Sequence, residues 1–188
     1  MLKDIVVKNR SYRKFNPKRI ISHNELLEMV DLARHSASSK NKQPLKYLLV
    51  TEKTETDFVF KQLSWAWYLK DWKGPSENER PPAYILVFLD TEINDNAFID
   101  VGIASQTILL AAVEKELGGC IIRTINRHEM KKHFEYSNTL ALVQVIAIGE
   151  PHQNAEVVEV NKSGSIEYFE DEGGIHFVPK RPLSEIVL

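Results

Sequence analysis

The chain has 188 residues, 43% of them hydrophobic, and a formal charge of −2. That length is enough for one substantial core burying roughly 70% of the extended-chain surface, and the near-neutral balance, with no dense basic stripe, gives no field for nucleic acid. Cys120 is the single cysteine, which excludes an intramolecular disulfide and, with no Cys or His cluster at ligand spacing, argues against a metal site; no apolar run approaches the ~20 residues of a membrane span and the charged first residues do not suit a signal peptide, so a soluble cytoplasmic protein is the expectation.

Leu2, Ile5, Val6 and Val7 predict a short opening helix. Asn9 to Phe15 follows, where Arg10, Arg13 and Lys14 stand around Ser11. Arginine suits forked recognition of phosphate and a serine hydroxyl can complete such a cradle, although a charge run is commonly a solvated face. Ser22, with Glu25 as its capping-box partner, starts a second helix whose apolar face is Leu26, Leu27, Val30 and Ala33. That helix should run to about His35, and a strand should occupy Tyr47 to Val50 after Pro44. Between them Ser38, Ser39, Lys40, Asn41 and Gln43 can hydrogen-bond in a row without apolar interruption. They either make turns or present donors to a polar ligand from a loop held between two buried elements.

A further helix is expected from near Thr54 to Asp57 onward. Residues 65–82, rich in tryptophan and ending in two prolines, are either a surface excursion or a mobile lid over a ligand pocket. Ala83 to Leu89 is a continuous apolar run, the pattern of a strand buried on both faces. Ala97 to Leu117 is apolar around nearly its whole circumference, which predicts a central helix. Gly102, Ala104 and Ser105 keep one side of it slim, and Gly118 with Gly119 should terminate it. Cys120 to Ile122 is the next strand, in which Cys120 reads as a small core residue. Arg123 and Thr124 sit where that strand leaves the sheet, a usual place for ligand contacts in layered folds. Asn126 and Glu129 cap a short helix, and Ala141 to Gly149 is another buried strand. Ser165 to Phe169 and Ile175 to Val178 alternate as a hairpin would, leading into Lys180 and Arg181. There is no P-loop, no GxGxxG and no Ser-His-Asp or Cys-His spacing, and the six histidines are scattered, so they read as surface or core residues. A nucleotide phosphate would have to be held by side chains from distant parts of the chain.

Arg10-Ser11-Tyr12-Arg13-Lys14-Phe15, then Ala37 to Pro44, then Val178 to Val187 together resemble, in the same order, three signatures of the FMN-dependent nitroreductase family. The likeness extends over nearly all of the chain. It implies a single α+β domain over residues 1–188, a mixed sheet of four or five strands with helices on both faces, and a homodimer with each flavin at the subunit boundary. It implies FMN as cofactor, NADH or NADPH as electron donor, and a nitroaromatic, quinone or similar small acceptor. Arg10, Ser11, Arg13 and Arg181 would hold the phosphate with Lys180 assisting. Ser38, Ser39, Asn41 and Gln43, from the opposite subunit, would line the ribityl chain and ring edge, and Arg123 and Thr124 would lie beside the ring. No side chain is assigned a catalytic role, since the flavin itself carries the redox step. Asn9 and Leu45 depart from the family pattern, where some relatives have a basic residue and many a tryptophan, which leaves substrate preference open. A dehalogenase or ring-cleaving relative, or a non-catalytic module binding a phosphorylated metabolite, remain alternatives.

Overall fold

A computed structural model describes residues 1–66, 68–69, 72–160 and 164–188. Its elements in chain order are α1 (Leu2–Lys8), α2 (His23–Arg34), β1 (Leu45–Val50), α3 (Lys53–Lys61), β2 (Ala83–Asp90), α4 (Phe98–Glu114), β3 (Gly118–Ile122), α5 (Arg127–Phe134), β4 (Leu140–Gly149), β5 (Ala155–Glu159), β6 (Phe169–Glu170), β7 (His176–Lys180) and α6 (Leu183–Ile186). The main sheet has the order β1-β2-β4-β3 and every pairing in it is antiparallel. The parallel pairing belongs to a second sheet, β5-β7-β6, in which β5 and β7 run together and β6 opposes β7. The α+β architecture expected from the sequence is therefore observed, with the mixed character confined to the small sheet.

β2 carries the core because its side chains alternate between two buried faces. Ile85, Val87 and Leu89 pack with Leu26, Met29 and Ala33 of α2 and with Val101, Ala104 and Ile108 of α4. Tyr84, Leu86 and Phe88 pack on the other face with Val59 of α3, Met130 of α5 and Phe15. Each such fully buried side chain contributes roughly 1.5–3 kcal/mol. The capping box of α2 forms as read, with Glu25 N donating to Ser22 Oγ (3.2 Å) and Ser22 N donating to Glu25 Oε2 (2.9 Å). Asn126 Oδ1 likewise accepts from Glu129 N at the start of α5.

Three expectations need correction. α4 ends before Gly118. Glu116 takes the left-handed conformation (φ 59°), Leu117 N bonds to the Ala112 carbonyl and Glu116 N to Val113, closing the helix through a glutamate. The two glycines open β3 instead, because a Cβ on Gly118 would lie 2.5 Å from the Tyr12 ring and one on Gly119 2.7 Å from Leu109 Cδ2. α4 is also not buried all round: Phe98, Ile99, Gly102 and Ile103 are exposed. Finally, of the foreseen first hairpin strand, Ser165 to Phe169, only Phe169 pairs with β7 among the described residues, joined by Glu170 just beyond it.

A bulge between Val87 and Phe88 lets β4 carry one extra residue, so Val143 and Gln144 both turn toward α4 and Gln144 Nε2 donates to the buried Ser105 hydroxyl. Among the described residues no helix is long and apolar enough to cross a membrane.

Candidate functional site

The Arg10–Phe15 segment lies along the free edge of the main sheet. Ser11 bridges Gly119 of β3, Tyr12 N donates to the Gly119 carbonyl (3.0 Å), and Phe15 bridges Pro151 beyond β4. This sets Arg10, Ser11 and Arg13 beside β3 and leaves Lys14 on the far side, where its ammonium pairs with Glu170 at 2.8 Å. From the other end of the chain β7 arrives with a period of two, so His176, Val178 and Lys180 share one face. These two segments, with Gln106 and Leu109 of α4 and Val6 and Asn9 of α1 and its cap, enclose a cavity of about 360 Å³.

Among the described residues, Arg10, Arg13 and Lys180 are the charged ones in its wall, and no carboxylate stands with them. Arg13 is buried (8% exposed) and fixed from several directions. Its backbone N–H donates to Gln153 Oε1 (3.0 Å), Nη1 donates to the Ser11 carbonyl (3.2 Å), and the Tyr168 ring covers the guanidinium at 4.6 Å. Nη1 also lies 3.2 Å from Nε2 of the buried His176. Burial foremost, then the neighbouring Arg13 charge, depresses the His176 pKa below its ordinary value. Arg10 Nη2 bonds back to the Val6 carbonyl (2.6 Å), while its Nε and the His176 Nδ1 are buried without a partner among the described residues. Buried donors of this kind are costly unless an acceptor arrives.

A second cavity of about 420 Å³ adjoins the first and shares Arg13, Ile121 and Tyr168 with it. Its remaining wall is Ser64, Trp65, Ala66, Cys120, Ile122, Arg123 and Thr124. Arg123 leaves β3 and also borders a smaller space between α4 and β4, where its guanidinium lies 5.8 Å from the Phe98 ring. Cys120 is buried, which pushes its thiol pKa up despite nearby Arg13 and disfavours the thiolate. The foreseen lid includes Trp67, Lys70 and Asp71, which lie outside the described residues. Of its described part, Trp65 and Ala66 line this cavity and Tyr68 meets Tyr168 edge-on at 5.1 Å, its N–H donating to the Tyr168 hydroxyl.

Ser38, Ser39, Asn41 and Gln43 stand apart from both spaces within the chain. Lys40, Asn41 and Gln43 all have left-handed φ (53°, 54° and 51°), an unusual density for residues with side chains. Asp100, buried in the first turn of α4, holds this loop: Ser38 Oγ donates to its Oδ2 (2.5 Å), Ser39 N to its Oδ1 (3.3 Å), and Ser38 Oγ in turn accepts from Gln43 N (2.9 Å).

Arg181 is likewise not brought to the basic cavity. It follows β7 out of phase with Lys180, is exposed, and pairs with Glu185 in the first turn of α6 at 3.1 Å. Strand alternation thus brings Lys180, and not Arg181, into the wall of the basic cavity. Sequence reading also missed His176, Tyr168, Gln153 and Asp100; the spacing of His176 two and four residues before Val178 and Lys180 was the one signal available for any of them.

The protein-family model described as “Nitroreductase family” matches residues 6–150. No curated protein matches the chain. Among solved structures, the nitroreductase family protein of Streptococcus pneumoniae TIGR4 superimposes with a TM-score of 0.73 at 14% identity, over 100% of this chain and 99% of that one. That of Clostridium novyi NT gives 0.68 at 22% identity, over 80% of this chain and 86% of its own. A protein named as a nitroreductase from Exiguobacterium sibiricum 255-15, solved in complex with FMN, gives 0.68 at 17% identity over 81% and 89%. At these identities the likeness shows the fold.

Proposed function

The chain belongs to the nitroreductase family, and from that premise and the geometry of the basic cavity we propose that it is an FMN-dependent oxidoreductase. The observation that carries the reading is a cavity walled, among the described residues, by Arg10, Arg13 and Lys180 without a carboxylate, into whose lining two buried donors, Arg10 Nε and His176 Nδ1, enter with no partner among those residues. Such a wall fits a dianion, and forked guanidinium groups suit phosphate oxygens. Arg10, Ser11, Arg13 and Lys180 hold the FMN phosphate in this reading. Arg13, common to both cavities, marks the passage from phosphate to ring, and the adjoining space beside Arg123 and Thr124 receives the ring.

When bound, FMN accepts a hydride and passes its electrons onward. The protein's part is to bind, orient and charge-balance: the Arg123 and Arg13 guanidinium groups favour the extra negative charge of the reduced ring. Trp65 and Tyr168 supply apolar surface on which a planar aromatic acceptor can stack. NADH or NADPH is the donor, and a nitroaromatic or quinone is the acceptor class.

The functional unit is a homodimer in this reading. Leu2, Val6 and Val7 of α1, Phe98, Ile99 and Ile103 of α4, and Leu183, Ile186 and Val187 at the C-terminal end are exposed apolar side chains that a second copy would cover. The second copy also accounts for the Ser38–Gln43 loop: absent from the walls of both cavities of its own chain and tied down by Asp100, it would present Ser38, Ser39, Asn41 and Gln43 to the flavin of the other. Anaerobic addition of NADH or NADPH to the flavin-loaded protein tests the reading. Bleaching of the flavin bands, followed by reoxidation with a quinone or nitroaromatic, is expected; flavin that neither nicotinamide reduces would refute it.

A further inference from the structure

The basic cavity contains one side chain whose two nitrogens face different tasks. His176 is 1% exposed and lies in the wall beside Arg13 and Lys180. A guanidinium nitrogen carries only hydrogens, so the 3.2 Å contact between Arg13 Nη1 and His176 Nε2 is a bond in which Nε2 accepts. The ring is then neutral with its proton on Nδ1. That N–H is buried and has no acceptor among the described residues. Among the described residues no carboxylate lines the wall, and Glu170, the acid near His176, is paired with Lys14. Tyr168, 5.2 Å from the imidazole and stacked over Arg13, closes the outer side of both groups.

We propose that His176 is a phosphate-binding and positioning residue: its Nε2 holds the Arg13 guanidinium in place, and its Nδ1–H donates to the oxyanion that the cavity takes up. This rests on the flavin reading above and deepens it, because it predicts which part of the ligand the histidine senses. A neutral imidazole adds a directional donor without adding another repelling cation to a site that already holds three. Its contribution therefore falls on the phosphate and not on the isoalloxazine ring, so it separates FMN from riboflavin.

The test is titration of the flavin-free protein with FMN and, separately, with riboflavin, followed by quenching of flavin fluorescence, for wild type, His176→Leu and His176→Gln. Wild type should prefer FMN strongly. His176→Leu should weaken FMN on the order of 10–100-fold, the scale of one hydrogen bond to a charged group, with riboflavin affinity within about 3-fold of wild type. His176→Gln, whose amide oxygen can still accept from Arg13, should lose less. Parallel weakening of both flavins would overturn the proposal, since a merely structural histidine affects them alike. Unchanged FMN-to-riboflavin preference with intact flavin binding would overturn it while leaving the flavin reading standing; a wild-type protein that binds neither flavin would overturn both. A second measurement needs no variant: the ¹⁵N signals of His176 in the wild-type protein should report the Nδ1–H tautomer, and Nδ1 should shift on adding FMN but not riboflavin. An Nε2–H tautomer, or the same shift with both flavins, would contradict it.

Discussion

Replacing Asp100 by alanine removes the anchor of the Ser38–Gln43 loop. The carboxylate is 4% exposed and accepts from Ser38 Oγ at 2.5 Å and from Ser39 N at 3.3 Å. A hydrogen bond to a charged group contributes about 1.5–3 kcal/mol, and the longer of these two falls below that range. The carboxylate also complements the N-terminal end of the α4 dipole, worth about 0.5 kcal/mol. Against this, three left-handed residues carry strain of about 1 kcal/mol each, part of which a released loop recovers. The balance is a loss of about 2–3 kcal/mol, which in a chain of this size lowers Tm by roughly 5–10 °C. Asp100→Asn keeps one acceptor oxygen and should lose about half as much. Calorimetry measures the shift, and hydrogen exchange localises it. The Gln43 amide, protected through Ser38 Oγ, should exchange faster in Asp100→Ala while amides of β2 do not change relative to the global stability. A Tm within about 1 °C of wild type, or a Gln43 amide no less protected, would refute the reasoning.

Strand alternation predicts that Lys180→Ala weakens FMN binding about 10-fold or more, whereas Arg181→Ala, which breaks only an exposed pair with Glu185, changes stability by less than about 0.5 kcal/mol and leaves FMN binding within about 3-fold; fluorescence titration reads both. Gly119→Ala should destabilise by more than about 2 kcal/mol in denaturant unfolding, because the added methyl meets the Ala147 carbonyl oxygen of β4, backbone held in the sheet, even more closely than it meets Leu109 Cδ2 at 2.7 Å. His176 gives a pH signature. Its folded pKa lies below the ordinary value near 6.5, so the unfolded chain binds a proton that the folded chain does not. Its contribution is fully present above about pH 6.5 and is lost as pH falls from there through the folded value. Tm of the flavin-free wild type should therefore decline between about pH 6.5 and 5 more steeply than that of His176→Gln, and equal slopes would contradict the assignment.

What could be read from the chain alone was whatever a local rule decides. Ser22 with Glu25 marks α2, and the unbroken apolar run of β2 marks a strand covered on both faces, because capping and burial each leave a local pattern. The basic cavity was legible only as residue types. Arg10, Ser11 and Arg13 suggested a phosphate cradle, but which member of Lys180-Arg181 completes it depends on the phase with which β7 pairs with β5 and β6, a long-range fact. Asp100 looks from the sequence like any acid in the first turn of a helix; its hold on Ser38, 62 positions away, exists only in the fold. Gly118 and Gly119 pointed to a helix end because glycine commonly serves there. Here they are needed for close approach of Tyr12 and Leu109, and the left-handed cap fell to Glu116. His176 reads from the sequence as a surface or core residue, because the alternation that puts it on one face with Val178 and Lys180 does not say what that face meets.

The most direct test is the visible absorption spectrum of the protein as purified, with the chromophore identified after release by denaturation. FMN near one equivalent per chain, lost in Arg10→Ala and Arg13→Ala proteins that remain folded, is the expected result. A colourless protein that takes up no FMN on titration would contradict the assignment of the cavity between β3 and β7 to a flavin phosphate.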